Sequence, residues 1–152
     1  MRLAILAVGR AKESPERALY RHYAQRIAWP LDLQEVEEKR RLPPAELKKA
    51  EGKLLLAALP KEATLWALEP RGKSMTSEQF AAAIARERDQ GSPTLAFVIG
   101  GADGLAEDVL QRSRLKLAMG SLTWPHMLAR AMLAEQLYRA QQIIAGHPYH
   151  RG

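Results

Sequence analysis

The apolar positions of this chain fall into short runs that are separated by longer amphipathic stretches. Five short runs predict β-strands, at residues 2–8, 31–36, 64–68, 94–99 and 115–118. The run at 94–99 is apolar after its first threonine, which predicts a central parallel strand covered on both faces. The run at 31–36 alternates imperfectly, which favours an edge strand. Strands that alternate with helices predict a single α/β domain, residues 1–152, around a mainly parallel sheet.

The stretches between these strands predict five helices, and two of their starts carry clear capping signals. Ser14 precedes Pro15, a pair that suits a helix N-terminus. Thr76 is followed three residues later by Gln79, which matches a capping box. The first helix is expected to continue to about residue 29, where a proline follows. The predicted helices are 15–29, 43–59, 76–90, 106–112 and 125–145.

The final helix is apolar around nearly its whole circumference, and such a helix must be buried. A homodimer interface is one way to bury it. Glu135 and Arg139 stand four residues apart in the order that favours an ion pair, although a surface pair would need no external ligand. Arg130 has no such local partner, so we expect it to be free for an external anion or a partner subunit.

Composition and charge narrow the function. The chain has 152 residues, of which 47% are hydrophobic and 26% charged, and a formal net charge of +6. The basic balance favours a polyanionic partner, nucleic acid first. There is no cysteine, which excludes disulfides, thiol catalysis and cysteine-bound zinc. No apolar run approaches the roughly 20 residues of a membrane span, and the histidines lack metal-site spacing, so we expect a cytoplasmic protein without membrane or metal.

A glycine cluster follows the most apolar predicted strand and precedes a helix. Gly100, Gly101 and Gly104 therefore lie where ligands of open α/β sheets bind, since glycine lets the backbone approach a ligand closely. A dinucleotide fingerprint that starts at Gly100 would need glycine at 102 and 105, and those positions hold Ala102 and Leu105. A tight turn without a ligand remains the alternative.

Two further segments carry polar groups in unusual density. In the loop at 119–126, Gly120, Ser121 and Thr123 could bind a polar molecule or only cap the last helix. The terminal segment 146–152 contains two of the four histidines, together with a tyrosine and an arginine. Histidine is the side chain best suited to proton transfer near neutral pH. The terminal segment therefore predicts a site that grips a polar, anionic substrate.

Taken together, these elements carry a specific resemblance that runs essentially end to end. The chain resembles the SPOUT-class methyltransferases, and within them the small single-domain RlmH group, which methylates N3 of a pseudouridine in 23S (large-subunit) ribosomal RNA. The segments that carry the resemblance are the opening strand with Val8 and Gly9, residues 97–105, 122–126 and 135–140, and the ending 147–151.

The resemblance implies a C-terminal trefoil knot, a homodimer with its site at the subunit interface, and S-adenosylmethionine as cofactor. The substrate would be a pseudouridine on the assembled ribosome or its large subunit. The three loops of the knot would hold the cofactor, through Leu68, Gly100, Gly101, Met119, Gly120, Ser121, Leu122, Thr123, Trp124 and Pro125.

The resemblance also implies roles for the end of the chain. His150, Tyr149 and Arg151 would serve catalysis, with His150 or Tyr149 handling the proton or orienting the substrate unless solvent suffices as base. Arg130, Arg139 and His147 would contact RNA. Two other classes stay open from the residues alone: a nucleotide-binding oxidoreductase, against which the broken fingerprint counts, and a non-catalytic ribosome-binding factor, which leaves the glycine loop unexplained.

Overall fold

Five parallel strands and five helices make up the chain in the computed structural model, which describes residues 1–151, with side chains described through Tyr149. The elements in chain order are β1 Arg2–Val8, α1 Pro15–Ala24, β2 Leu31–Val36, α2 Pro44–Ala58, β3 Thr64–Ser74, α3 Ser77–Asp89, β4 Thr94–Ile99, α4 Glu107–Arg112, β5 Leu115–Ala118 and α5 His126–Ile144, followed by a 3₁₀ turn, Pro148–Arg151. The predicted caps are confirmed: Ser14 accepts from the Arg17 amide, and Thr76 and Gln79 form a capping box.

The strands lie in the order β2-β1-β4-β3-β5, and every pairing is parallel. Leu3 of β1 pairs with Leu31 on one side and with Leu95 on the other. The predicted edge position of β2 and the predicted central position of β4, whose residues are all buried, are both confirmed.

Successive residues of the strands point to opposite faces of the sheet, and each face has its own core. Leu3 and Ile5 of β1 belong to the larger core, which includes residues of α1, α3 and α5 and an aromatic group of Trp66, Phe80 and Phe97. Leu6 of β1 belongs to the smaller core, which includes residues of α2 and α4. The helices therefore cover both faces and leave the carboxyl edge of the strands for the loops.

Two predicted boundaries are wrong. The first helix ends at Ala24 rather than near Trp29, because residues 25–28 form a turn that buries Ile27 and donates the Ala28 amide to the Gln141 side chain of α5. The third strand continues past Leu68 to Ser74, because its pairing with β5 shifts register between residues 68 and 73. Such a bulge tolerates Pro70 and Gly72, two residue types that favour turns and lie just past the predicted end of the strand.

No helix within residues 1–151 is long and apolar enough to cross a membrane. The trefoil knot and the assignment of residues 1–152 to one domain stay predictions.

Candidate active site

A cavity of about 520 Å³ opens at the carboxyl ends of β3, β4 and β5. Three loops line it: the one at the bulge of β3, the glycine loop 100–104 after β4, and the loop 119–125 between β5 and α5. His126 and Ala129 of α5 complete the wall. Its position is the one at which open α/β sheets bind ligands, and its volume is that of a small-molecule site, about 300–1,000 Å³.

The glycine loop is a tight hairpin whose shape depends on glycine. Gly101 and Gly104 form an antiparallel bridge, in which the Gly104 amide donates to the Gly101 carbonyl oxygen over 3.1 Å. A Cβ atom on Gly100 would lie 2.8 Å from the carbonyl carbon of Gly104 and 2.9 Å from its oxygen. Backbone cannot yield at such distances, so the loop exposes main-chain groups rather than side chains to the cavity.

The loop between β5 and α5 closes on itself. Gly120 has a φ of +90°, a left-handed conformation that favours glycine, and the Trp124 indole N–H donates to the Met119 carbonyl oxygen over 2.8 Å. Leu122 and Trp124 are 69% and 40% exposed, which makes them two of the few large apolar side chains left uncovered. The loop thus presents an apolar surface beside the cavity.

Nine of the ten residues predicted to bind the cofactor line this cavity. Ser121 is the exception: it is exposed and does not line the cavity. Gly104, which the sequence analysis placed in the glycine cluster, also lines the cavity; sequence reasoning missed the other lining residues, which are Glu69, Pro70, Ile99, Ala102, Leu105, Leu117, His126 and Ala129. Most of them directly adjoin residues of the predicted loops. Their position next to the end of a strand could have identified them.

The prediction that Arg130 is free for an external anion is wrong. Its side chain is 3% exposed and pairs with Glu35 of β2, from Nη1 to Oε2 over 2.6 Å. Nη2 donates to the carbonyl oxygens of Val8 and Gly9, at 3.1 and 2.7 Å. Arg130 therefore ties α5 to the carboxyl ends of β1 and β2. A partner 95 residues away could not be found from helical spacing.

The pKa values of Glu35 and Tyr20 reflect their burial and their position beside Arg130. Burial by itself would raise the pKa of Glu35, but the Ala11 amide and the Arg130 guanidinium outweigh it and hold the pKa below its ordinary value. Burial raises the pKa of the neighbouring Tyr20 hydroxyl to about 12. At neutral pH the group contains an ionised Glu35 and a protonated Tyr20.

The end of the chain packs on the middle of α5. The Tyr149 hydroxyl donates to Glu135 Oε1 over 3.4 Å, and its ring meets Tyr138 edge-on at 4.8 Å between centroids. His147 Nδ1 accepts the Tyr149 amide over 3.2 Å. Burial, followed by the Glu135 charge, raises the pKa of Tyr149. The side chains of His150 and Arg151 lie outside the described residues.

The predicted ion pair on α5 is confirmed, from Arg139 Nη2 to Glu135 Oε1 over 2.6 Å. The Arg139 guanidinium also lies 5.0 Å from the centroid of the Tyr149 ring. The hydrogen bond to Glu135 raises the pKa of Arg139. Arg139 thus helps to dock the end of the chain, and the predicted RNA contacts of Arg139 and His147 stay predictions.

Within one chain, the structure does not bring Tyr149 to the cavity. Ala129 is the last residue of α5 that lines the cavity, whereas Tyr149 contacts Glu135, Tyr138 and Arg139. At a rise of 1.5 Å per residue, the nearest of these contacts lies about 9 Å farther along the helix axis. The catalytic roles of Tyr149, His150 and Arg151 stay predictions.

No group of three or more metal-binding side chains occurs among the residues that the structure describes. The site is built instead from loop backbone, apolar side chains and the histidine at the start of α5.

Comparison with known proteins shows which sequences and folds this chain is similar to. Residues 1–150 match a family model described as a predicted SPOUT methyltransferase. The protein named ribosomal RNA large subunit methyltransferase H from Rhodospirillum centenum is 58% identical over 151 residues, which cover 99% of each chain. Proteins of the same name from Paramagnetospirillum magneticum and Rhodospirillum rubrum are 52% and 51% identical over the same length and coverage.

Solved structures support the fold alone. A probable methyltransferase from Bordetella pertussis superposes with a TM-score of 0.57 and 14% identity, over 91% of this chain and 95% of that one. TrmJ from Z. mobilis superposes with a TM-score of 0.55 and 16% identity, over 93% of this chain and 70% of that one. The full-length family match and the full-length relatives together confirm the predicted resemblance: the chain belongs to the SPOUT family of methyltransferases.

Proposed function

We propose that this protein transfers the methyl group of S-adenosylmethionine to N3 of a pseudouridine in large-subunit ribosomal RNA, on the ribosome or its large subunit. The predicted class of enzyme, an rRNA methyltransferase, is confirmed by the family match and by the names of the relatives. The observation that supports the cofactor is the cavity at the ends of β3, β4 and β5, which three loops build mainly from backbone and apolar groups. The acceptor, N3 of a pseudouridine, is what the resemblance implies.

S-adenosylmethionine is the cofactor, and the cavity fits it. The glycine loop and the loop 119–125 offer main-chain hydrogen-bonding groups at the cavity wall. Leu68, Leu105 and Leu117 supply apolar surface of the kind that covers a nucleoside base. When bound, the sulfonium supplies an activated methyl group. The contribution of the protein is then to align the acceptor with the donor and to exclude competing nucleophiles.

N3 of pseudouridine is an imide nitrogen that must lose its proton before it can attack a methyl group. The Tyr149 hydroxyl, whose pKa is raised, is protonated at neutral pH and donates its one proton to Glu135, so it orients the base as a hydrogen-bond acceptor. Removal of the proton falls to His150 or to solvent, and Arg151 holds the neighbouring phosphate. Arg139 and His147, which flank the docked Tyr149, contribute to RNA contact.

The position of the chain end supports a homodimer. Tyr149 packs about 9 Å along α5 from the nearest cavity-lining residue of that helix, so the chain end of one subunit is suited to serve the cavity of the other. The exposed Leu122 and Trp124 give a second copy an apolar surface to cover beside the cavity. Much of α5 is already covered by α1 and α3 of its own chain, so a second copy would not have to bury the whole helix. The half-buried Met132 of α5 lines a second cavity, of about 360 Å³.

The net charge of +6 suits a ribosomal substrate, and action on ribosomal RNA supports a cytoplasmic location. Docking on assembled ribosomal particles would let a small chain select one nucleotide by the shape of its surroundings.

The central experiment incubates the protein and S-adenosylmethionine with ribosomal particles that lack the modification, followed by mass spectrometry of rRNA digests. We expect a gain of one methyl group on a pseudouridine at N3. Calorimetry with S-adenosylmethionine and with NADH tests the other classes: binding of NADH alone would favour an oxidoreductase, and binding of neither would favour a ribosome-binding factor.

A truncated chain tests the role of its end. Removal of residues 147–152 should abolish methylation and spare binding of S-adenosylmethionine, because the cavity lies elsewhere. Mixed dimers then test the shared site. A truncated subunit paired with a G100A subunit has one complete site of two and should regain about half of wild-type activity if each chain end serves the opposite cavity. Absence of any regained activity in verified mixed dimers would contradict the shared site.

A further inference from the structure

A buried carboxyl without a partner lies against the glycine loop. Glu51 of α2 is 8% exposed, and its Oε1 atom is fully buried with no hydrogen-bond partner. An unpartnered ionised carboxylate is among the most costly groups to bury. Such a group needs an explanation, and neither the cavity wall nor the proposed chemistry includes Glu51.

The contact between Glu51 and the loop is close. A Cβ atom on Gly101 would lie 3.2 Å from Oε2 of Glu51, 3.4 Å from Oε1 and 3.1 Å from a methyl group of Val8. A side chain at position 101 would therefore have to displace the carboxyl, which lies directly beside the loop at this glycine. Gly101 lines the cofactor cavity and Glu51 does not, so any effect of Glu51 on the cofactor passes through the loop.

Gly52, the residue after Glu51, brings α2 close to α4. A Cβ atom on Gly52 would lie 2.9 Å from the Cβ of Ala106 and 3.3 Å from a methyl group of Val109. Helix α2 is thus packed tightly on α4, which keeps the backbone of Glu51 close to the loop.

The surroundings of Glu51 favour its neutral form. Asp103, at the tip of the glycine loop, is the charged group that acts on Glu51. The elements packed against α2 contribute apolar groups to the same core, namely Val8 of β1, Val36 of β2 and Val109 of α4. Burial, and then the Asp103 charge, raise the pKa of Glu51.

We propose that Glu51 is a positioning residue of the cofactor site, whose neutral carboxyl supports the glycine loop in its binding conformation and whose ionisation releases it. A neutral carboxyl can stay packed against the loop without a partner, whereas a carboxylate would be buried without a counter-ion and would repel Asp103. Moving the loop away and admitting water relieves an ionised Glu51. Cofactor affinity is therefore linked to the protonation of Glu51. The identity of the ligand, S-adenosylmethionine, rests on the proposed function.

The test compares wild type, E51Q and E51A by calorimetry with S-adenosylmethionine, from mildly acidic to neutral pH and above. E51Q has the shape of the neutral acid and cannot ionise, so it should keep the wild-type affinity of acidic pH throughout. Wild type should weaken with rising pH by at most about tenfold per pH unit, the limit for one proton. E51A should bind weakly at every pH. All other titratable groups, His126 of the cavity wall included, are common to these proteins and cancel.

E46Q, on the exposed side of α2, is the matched control and should reproduce wild type at every pH. D103N should move the weakening of wild type to lower pH, because it removes a charge that favours the neutral form of Glu51. Thermal unfolding of each variant shows whether a loss of affinity reflects a loss of fold.

A readout without ligand separates this inference from the proposed function. Hydrogen-exchange protection of the amides of residues 100–104 should fall with rising pH in wild type and stay constant in E51Q. Equal pH dependence of protection and of affinity in the two proteins would overturn the role of Glu51. Failure of wild type to bind S-adenosylmethionine at any pH would instead overturn the proposed function, and the exchange data would still decide the role of Glu51.

Discussion

Replacing Arg130 with methionine should cost this protein a large part of its stability. The substitution keeps an unbranched apolar side chain in the site and removes the pair with Glu35 at 2.6 Å and the hydrogen bonds to the carbonyls of Val8 and Gly9. Removing one partner of a buried ion pair typically costs about 3–5 kcal/mol. For a chain of this size each kcal/mol lowers the melting temperature by about 2–4 °C, so we expect a decrease of about 6–20 °C.

A double-mutant cycle measured by urea unfolding checks the reasoning. R130M, E35Q and the double variant should show a coupling of about 1.5–3 kcal/mol, because the double variant leaves no carboxylate without its cation. R2M is the matched control: the pair of Arg2 with Asp32 is 3.5 Å long and both side chains are more than half exposed, so it should cost less than about 1 kcal/mol. Wild-type stability of R130M together with weaker ribosome binding would refute the structural role and restore the RNA contact.

Two further predictions follow from the same geometry. G100A should lose binding of S-adenosylmethionine in calorimetry, because the new Cβ would meet the Gly104 backbone at 2.8 Å. G91A has open space around it but a φ of +84°, so it should lose about 1 kcal/mol of stability and bind normally. Equal binding by both variants would contradict a role for the glycine loop in binding the cofactor. Because the pKa of Glu35 is below 4.5, its contribution to stability is present at neutral pH and is lost as pH falls through that lowered value. The stability difference between wild type and E35Q in pH-dependent unfolding should accordingly shrink in acid, and a constant difference would argue against an ionised Glu35.

Most of the secondary structure could be predicted from the sequence, because apolar periodicity and capping residues involve only neighbours along the chain. The unbroken apolar run of β4 could only be a strand covered on both faces, and the capping box at Thr76 fixed the start of α3. The bulge in β3 could not be predicted in this way. Its proline and glycine favour a turn, and the strand continues only because Leu117 of β5 pairs across the irregularity.

The cavity was predictable for a related reason: glycines and loops that follow parallel strands must meet at one edge of the sheet. The roles of individual charged side chains were not. Arg130 finds Glu35 on a strand 95 residues earlier, and Glu51 lies against a loop 50 residues later. Helical spacing describes neighbours on one element, whereas these contacts depend on how separate elements pack.

The order of the strands has a consequence for how the chain is made. β1 pairs with β4 from Arg2 and Thr94 onwards, so the centre of the sheet joins segments about ninety residues apart. Until residue 99 has left the ribosome, β1 can pair only with β2, and the larger core lacks the residues of β4 and α5. Assembly through such distant contacts is slow, and the incomplete sheet is prone to associate with other chains. The nascent chain is therefore expected to depend on chaperones over most of its synthesis and to acquire its cavity only near the end.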